Sequence, residues 1–329
     1  MKKPGALCTG LFGAQSLHAG DILCVMKCAE DLTRTRPYAD GIYECHGHLM
    51  MDGADFASAR NRHKNGVDET ALRKALEDLR SAGVRYFRDG GDAYGVSALG
   101  RDIAPEYGIE VITPVFAIHK KGYYGSIVGR SYDGTASFHR RIDELREAKG
   151  NFVKLMLSGI ITFRTWGDLS CEGLDPDEIK ELVNIAHSEG YRVMAHVNGA
   201  KTIRAALLAG ADSIEHGYFA GREDLELMAE KNVIWVPTLT AVEAFVERGG
   251  FDRSVAEKTV EEQEKNIRQA HGLGVLIAAG SDSGAVGVLH GKGILREHEL
   301  LARCGLTAEE TETADKELWN RFSGRVNYP

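Results

Sequence analysis

From residue 41 onward, short runs rich in β-branched and aromatic residues alternate with amphipathic stretches of helical period, and the pair repeats eight times. A parallel strand returns beside its neighbour only through a crossover, usually a helix, so this alternation predicts an α/β protein with a parallel sheet. Eight such units close into a (β/α)8 TIM barrel, and a length of 329 residues suits a single domain of that kind. Glycines mark the returns from helix to strand: Gly83, Gly108, Gly150, Gly190, Gly210 and Gly274 each stand shortly before an expected strand, where a helix C-terminus favours a residue without Cβ.

The strands are expected over residues 42–46, 84–88, 110–117, 152–157, 192–197, 213–216, 233–238 and 275–279. Helical stretches between them include 68–82, 137–149, 176–189, 201–209, 223–231 and 255–272. Residues 1–40 carry no clear pattern and read as a short N-terminal extension, leaving 41–329 as the barrel domain. The glycine-containing turns form neither a G-x-G-x-x-G fingerprint nor a phosphate loop, so nucleotide binding is not expected.

Composition narrows the partners. The chain has 40 basic and 48 acidic residues, a net charge of -8, and no long run of either sign, which argues against nucleic acid or an anionic membrane and for a small-molecule substrate. Cysteines at positions 8, 24, 28, 45, 171 and 304 lack the dense spacing of a secreted disulfide scaffold and read as reduced thiols of a cytoplasmic protein. Pro4, Gly5, Thr9, Gly10, Gly13, Gln15 and His18 interrupt any leader-like apolar segment, and nowhere is there the apolar run of about 18 residues that a spanning helix requires. A homo-oligomer is compatible with the sequence, which leaves the oligomeric state open.

In a barrel of this type chemistry sits at the C-terminal ends of the strands, and six residues that can bind metals or move protons stand there. His46 and His48 lie two apart in an extended run, so both imidazoles emerge on the same side. His196 and His216 end the fifth and sixth expected strands, and Asp282 follows the eighth. Lys154 lies inside the fourth, among Phe152, Val153, Leu155 and Met156. A bare ammonium buried there would cost several kcal/mol. It must therefore pair with an acid, or lose its proton and add carbon dioxide to become a carbamate, an anionic ligand able to bridge two cations.

With these residues in place the sequence resembles the amidohydrolase superfamily of metal-dependent hydrolases, in particular its two-metal branch with a carboxylated lysine, and most closely its prolidase-like dipeptidases. The resemblance covers roughly residues 41–310 and includes the run AGVRYFRDGG at 82–91, SIEHG at 213–217 and WVPTL at 235–239. It implies that His46, His48 and Asp282 hold one divalent metal ion, His196 and His216 a second, and carboxylated Lys154 bridges the two, with zinc (Zn2+) the expected metal. His196 is followed by Val-Asn-Gly and not by the His-x-x-Glu of the one-metal deaminases, so deamination is disfavoured. The family commonly adds a small β-sandwich; the first 40 residues and the short stretch after residue 307 do not show it, so that sandwich is expected to be reduced or absent.

The implied reaction is hydrolysis of an amide or peptide-like C–N bond by a hydroxide bridging the two metals, with Asp282 as general acid and base. A lactonase or phosphotriesterase-type hydrolase could use the same apparatus, and a noncatalytic metal-bound sensing barrel is the alternative from another class. Cationic and phenolic residues in the loops after the third and fourth strands suggest a substrate carboxylate. His119, Tyr123, Arg164, Tyr218 and His290 are the candidate substrate contacts, while Glu44, Arg88, Asp89 and Glu215 are expected to support the site or pack the barrel.

Overall fold

The computed structural model describes residues 38–248 and 250–324. All but the last three residues of the expected N-terminal extension, 1–40, lie outside them. Three strands, β1 (Ile42–Gly47), β2 (Val84–Asp89) and β3 (Glu110–Ile112), run parallel in that order. A second parallel set, in the order β5 (Gly129–Tyr132), β4 (Ala117–Lys120), β6 (Val153–Met156), β7 (Val193–Val197), β8 (Ser213–His216) and β9 (Ile234–Val236), completes most of the ring.

Two expected strands differ in detail. The third, 110–117, is split into β3 and β4, because Val115 takes φ 65° between them, a left-handed conformation that a β-branched residue rarely adopts and that breaks a ladder. Each half then serves one neighbour: β3 pairs with β2, and β4 pairs with β6 through Ala117 opposite Lys154. The eighth, 275–279, is not a regular strand but still closes the ring. Trp235 N donates to Leu276 O and Ala278 N to Trp235 O, each at 2.9 Å, while Cys45 N donates to Ala279 O at 2.9 Å and Asp282 N to His46 O at 2.8 Å. Gly280 explains the close approach, since a Cβ there would lie 2.5 Å from Val236 Cγ1 and 2.8 Å from His46 Cβ. The result is a TIM barrel, with β5 as an added edge strand. Among the described residues no strands form a β-sandwich.

The helices wrap the ring: α1 (Phe56–His63), α2 (Glu69–Ser81), α3 (Val96–Ile103), α4 (Thr135–Glu147), α5 (Pro176–Ser188), α6 (Ala200–Ala209), α7 (Arg222–Glu230), α8 (Leu239–Glu243), α9 (Arg253–Gly272), α10 (Lys292–Arg303) and α11 (Ala308–Ser323). Helix α5 illustrates why they form. Asp175 caps it by accepting from Asp177 N at 2.9 Å, Pro176 occupies its first turn, and Ile179, Leu182, Val183 and Ala186 make one buried face. Helix α11 opens with a Thr307–Glu310 capping box and sits under the barrel. There Phe322 meets Phe152 edge-on at 5.3 Å, and Trp319 meets the stacked Tyr43–Tyr86 pair. No helix among the described residues is long and apolar enough to cross a membrane.

Candidate metal centre

The register of the barrel brings the six expected ligands to one end. His46 lies in β1 and His48 just beyond it, Lys154 is in β6, His196 in β7, His216 ends β8, and Asp282 follows the closing segment. Lys154 Nζ lies 3.3 Å from His46 Nε2 and 3.4 Å from His48 Nε2. Asp282 Oδ1 is 3.4 Å from His48 Nε2 and 3.7 Å from His46 Nε2. The His216 ring is 4.9 Å from that of His46 and 4.6 Å from that of His196. His46, His48 and Asp282 each offer a donor atom within 4.8 Å of the others, a group that could hold a divalent metal ion.

Two of these residues are held in strained backbone. His216 has φ 66° and Asp282 φ 60°, a left-handed conformation that costs of order 1–3 kcal/mol at a non-glycine residue and survives only where the surroundings enforce it. Here the enforcement is visible. Asp282 N is tied to His46 O, His48 N to Ser283 O at 2.7 Å, and Gln263 Nε2 and Trp235 Nε1 both donate to His216 O, at 2.7 and 3.0 Å.

Beneath the cluster lies a fully buried ionic network. Arg88 donates to Cys45 O at 2.6 Å, to Ser213 Oγ at 3.1 Å and to both Glu215 oxygens at 2.8 Å, and its guanidinium rests 4.6 Å above the Phe322 ring. Glu215 Oε2 in turn accepts from His46 Nδ1 at 2.7 Å, which leaves the Nε2 lone pair facing the cluster. His216 Nδ1 is similarly held by Thr238 Oγ1 at 2.7 Å. Asp89 knits three loops together, accepting from Leu49 N, Gly91 N and Thr113 Oγ1.

Electrostatics favours neutral imidazoles. Burial, reinforced by the Lys154 charge, holds His46 and His48 well below the usual histidine range and pushes His196 down to about 3. Burial also lowers Lys154 to about 8 and raises Asp282 to about 6. Lys154 is 1% exposed yet forms no direct ion pair among the described residues, with Asp282 and Glu215 acting on it only from farther off. His196 Nε2 is likewise buried without a hydrogen-bond partner among them. Gly90 leaves room beside Lys154 and His48, for a Cβ there would fall 2.2 Å from His48 Cε1 and 2.6 Å from Lys154 Nζ. Neutral imidazole nitrogens, a carboxylate and an amine without a direct ion pair, converging on space that a methyl group would fill, fit divalent cations.

Above the cluster opens a cavity of about 110 Å³. Of the expected substrate contacts only Tyr218 lines it, and its hydroxyl is committed to Thr238 O and Oγ1 at 2.9 Å each. His119 is buried in β4 with Nδ1 against Lys120 O at 3.0 Å, and Tyr123 lies under Lys120; neither faces the cavity. Arg164 is exposed and outside the lining. His290 packs behind the site, with Nε2 3.1 Å from His48 O, and lines a separate outer cleft. Sequence reasoning missed Tyr124, whose ring lies 5.2 Å from that of His196, and the apolar wall of Phe163 and Phe245, stacked at 4.4 Å. Two adjacent tyrosines in a loop face different ways, and sequence alone does not say which faces in.

A model of the amidohydrolase family matches residues 41–313. The chain belongs to the amidohydrolase family. Among curated amidohydrolase relatives, the ochratoxinase of Aspergillus niger is 28% identical over 225 residues, 64% of this chain and 45% of the ochratoxinase. The chain thus spans less than half the length of that relative. Of solved structures, a Xaa-Pro dipeptidase with bound methionine superposes with a TM-score of 0.71 at 20% identity, covering 87% of this chain and 78% of the other. The A. niger ochratoxinase crystal structure gives 0.68 at 22% identity, covering 83% and 69%. At such identities these likenesses concern the fold, and the match over residues 41–313 carries the family.

Proposed function

We propose that this amidohydrolase cleaves the C–N bond of a small amide by metal-assisted hydrolysis, with residues 41–329 as the catalytic domain of a cytoplasmic enzyme. The observation that carries the reading is Lys154: a buried amine 3.3–3.4 Å from two imidazoles, with no ion pair among the described residues. An unprotonated amine adds to carbon dioxide, forming an N–C bond and releasing one proton, and the resulting carbamate would add a second anionic group to the cluster beside Asp282. His46, His48 and Asp282 would hold one divalent ion, His196 and His216 the second, and the Lys154 carbamate both, with zinc the expected metal. Bound there, the ions supply a low-pKa water and polarise the substrate carbonyl.

The protein's own groups do the rest. Glu215 and Arg88 fix the His46 tautomer, and Thr238, held by Tyr218, orients His216. Asp282 is the proton carrier: its carboxylate accepts a proton from the attacking water and delivers it to the leaving nitrogen, which would otherwise depart as an unstable amide anion. The strained backbone at Asp282 aims the carboxylate toward His46 and His48 before substrate arrives. Metal analysis of protein expressed with zinc, together with amide turnover, tests the reading. Two equivalents of metal per chain, a carbamate carbon signal with labelled bicarbonate, and amide cleavage are expected. Stoichiometric metal without cleavage of any amide would refute the hydrolase reading.

A further inference from the structure

The loops above the metal centre indicate what the cavity accepts. Cations that the sequence places near the mouth are engaged elsewhere or lie outside the lining: Lys120 pairs with Glu178 at 2.7 Å, Arg130 pairs with Glu144 at 3.0 Å, and Arg164 is exposed. Apart from Lys154, the lining contains no lysine or arginine. The wall above the ligands is apolar and aromatic, with Phe56, Ile161, Phe163, Val242 and Phe245 facing the space. A carboxylate or ammonium on the substrate would lose its water there and find no counter-charge, whereas an apolar group gains from burial.

One hydroxyl of the lining outside the ligand set is uncommitted among the described residues. Asn198 donates to Gly159 O and accepts from Tyr218 N, and the Tyr218 hydroxyl is taken by Thr238. The Tyr124 hydroxyl has no hydrogen-bond partner among the described residues, although the side chain lines the cavity against His196. A phenol carries its proton at neutral pH, so this hydroxyl can donate. An amide carbonyl presents the acceptor that such a donor needs.

We propose that the site selects an uncharged amide flanked by apolar groups, with the Phe163–Phe245 wall receiving one of them and Tyr124 donating to the amide oxygen. This rests on the amide-hydrolase reading for the reaction, but the selectivity belongs to the cavity and can be measured without turnover. The probes are three anilides on one scaffold: N-hexanoyl aniline, its para-carboxylate and its para-trimethylammonium form. Hydrolysis of each consumes one water and yields hexanoic acid and the aniline.

Calorimetric binding to the metal-free protein and kcat/KM of the metal-loaded protein are measured in parallel. The uncharged anilide is expected to lead both charged forms by about tenfold or more in each assay. Tyr124→Phe should weaken binding several-fold while keeping that order, since it removes the donor and leaves the wall. Phe245→Arg, at a partly exposed wall position, should bring the para-carboxylate up to or above the uncharged form; a melting curve confirms that the variant folds. Binding in the expected order without any cleavage would support the selectivity and remove the amidase reading. Preference for a charged anilide by the unaltered protein, or no binding of the uncharged one, would overturn the proposal whatever the rates.

Discussion

The floor and the mouth of the barrel are built on opposite principles. In the floor, Arg88, Glu215, Ser213 and His46 form a closed ionic network with no exposed atom to spare, each member held by at least one other. At the mouth, the loop between β6 and α5 is held mainly by bonds to itself, among them Ser170 N to Ile160 O at 2.8 Å and Thr162 N to Asp168 O at 3.1 Å, and by aromatic packing: Phe163 stacks on Phe245, and Trp166 packs on Phe219 with Lys258 3.9 Å above its ring. A group that must orient metal ligands has to be over-determined, because a buried charge with a missing partner is costly. A wall that admits different apolar shapes can be held by dispersion and a few exposed contacts. The contrast implies that substitutions in the floor act on metal content and folding, and those in the mouth on substrate preference.

The largest effect is expected at Lys154. Lys154→Ala should remove most bound metal and lower kcat/KM by about 10³-fold or more, roughly 4 kcal/mol, read by metal analysis and by rates under saturating zinc. A variant retaining both metals and full rate would detach the lysine from the site. Glu215→Leu comes next. It strands the Arg88 guanidinium in the core and should cost about 3–5 kcal/mol in denaturant unfolding, whereas the double variant Arg88→Met with Glu215→Leu should recover much of that loss. An equal loss in the double variant would mean that the network is not a unit.

A pH test probes the tie between α10 and the start of α8. Glu297 of α10 is buried and accepts from Leu239 N at 3.0 Å and from Thr240 N and Oγ1 at 2.7 Å, and burial raises it from 4.5 to about 7. The unfolded chain releases this proton near 4.5 and the folded one near 7, so the folded state binds more protons in between. This group's contribution is complete below about 4.5 and is lost as pH rises through about 7, on the order of 3 kcal/mol in all. Glu297→Gln should flatten that part of the stability profile; an unchanged slope would show that Glu297 does not titrate there. Smallest of all is Arg164→Ala, expected to leave kcat/KM within about twofold because the side chain lies outside the cavity. A tenfold rise in KM for an acidic substrate would reinstate it as a substrate contact.

How much of this was legible depended on what each residue reports. Strand ends announce themselves, because an apolar run stops at a polar residue followed by glycine or serine, so the positions of His196, His216 and Asp282 could be read, and the fold with them. The split at Val115 could not, since nothing in Thr113-Pro114-Val115-Phe116 signals a left-handed valine. The closing segment 275–279 has the composition of a strand but makes only a few bonds on each side, a matter of register that composition does not encode. Mouth residues were least legible. Whether Lys120 faces a substrate or Glu178 depends on α5, some 58 residues away, and whether Tyr123 or Tyr124 turns inward depends on the loop's twist.

The extra edge strand β5 has a practical consequence. Because it re-pairs the chain with β4 directly after residues 121–128, the excursion carrying Tyr124 and Ile127 leaves from the barrel strand β4 and returns beside it, so both its ends are anchored on one strand pair. It is a candidate cassette: exchanging those eight residues for others of similar span, with Gly125 kept because it abuts His119 and Met156, would let chemists retune what the enzyme accepts without altering the strands that carry the ligands.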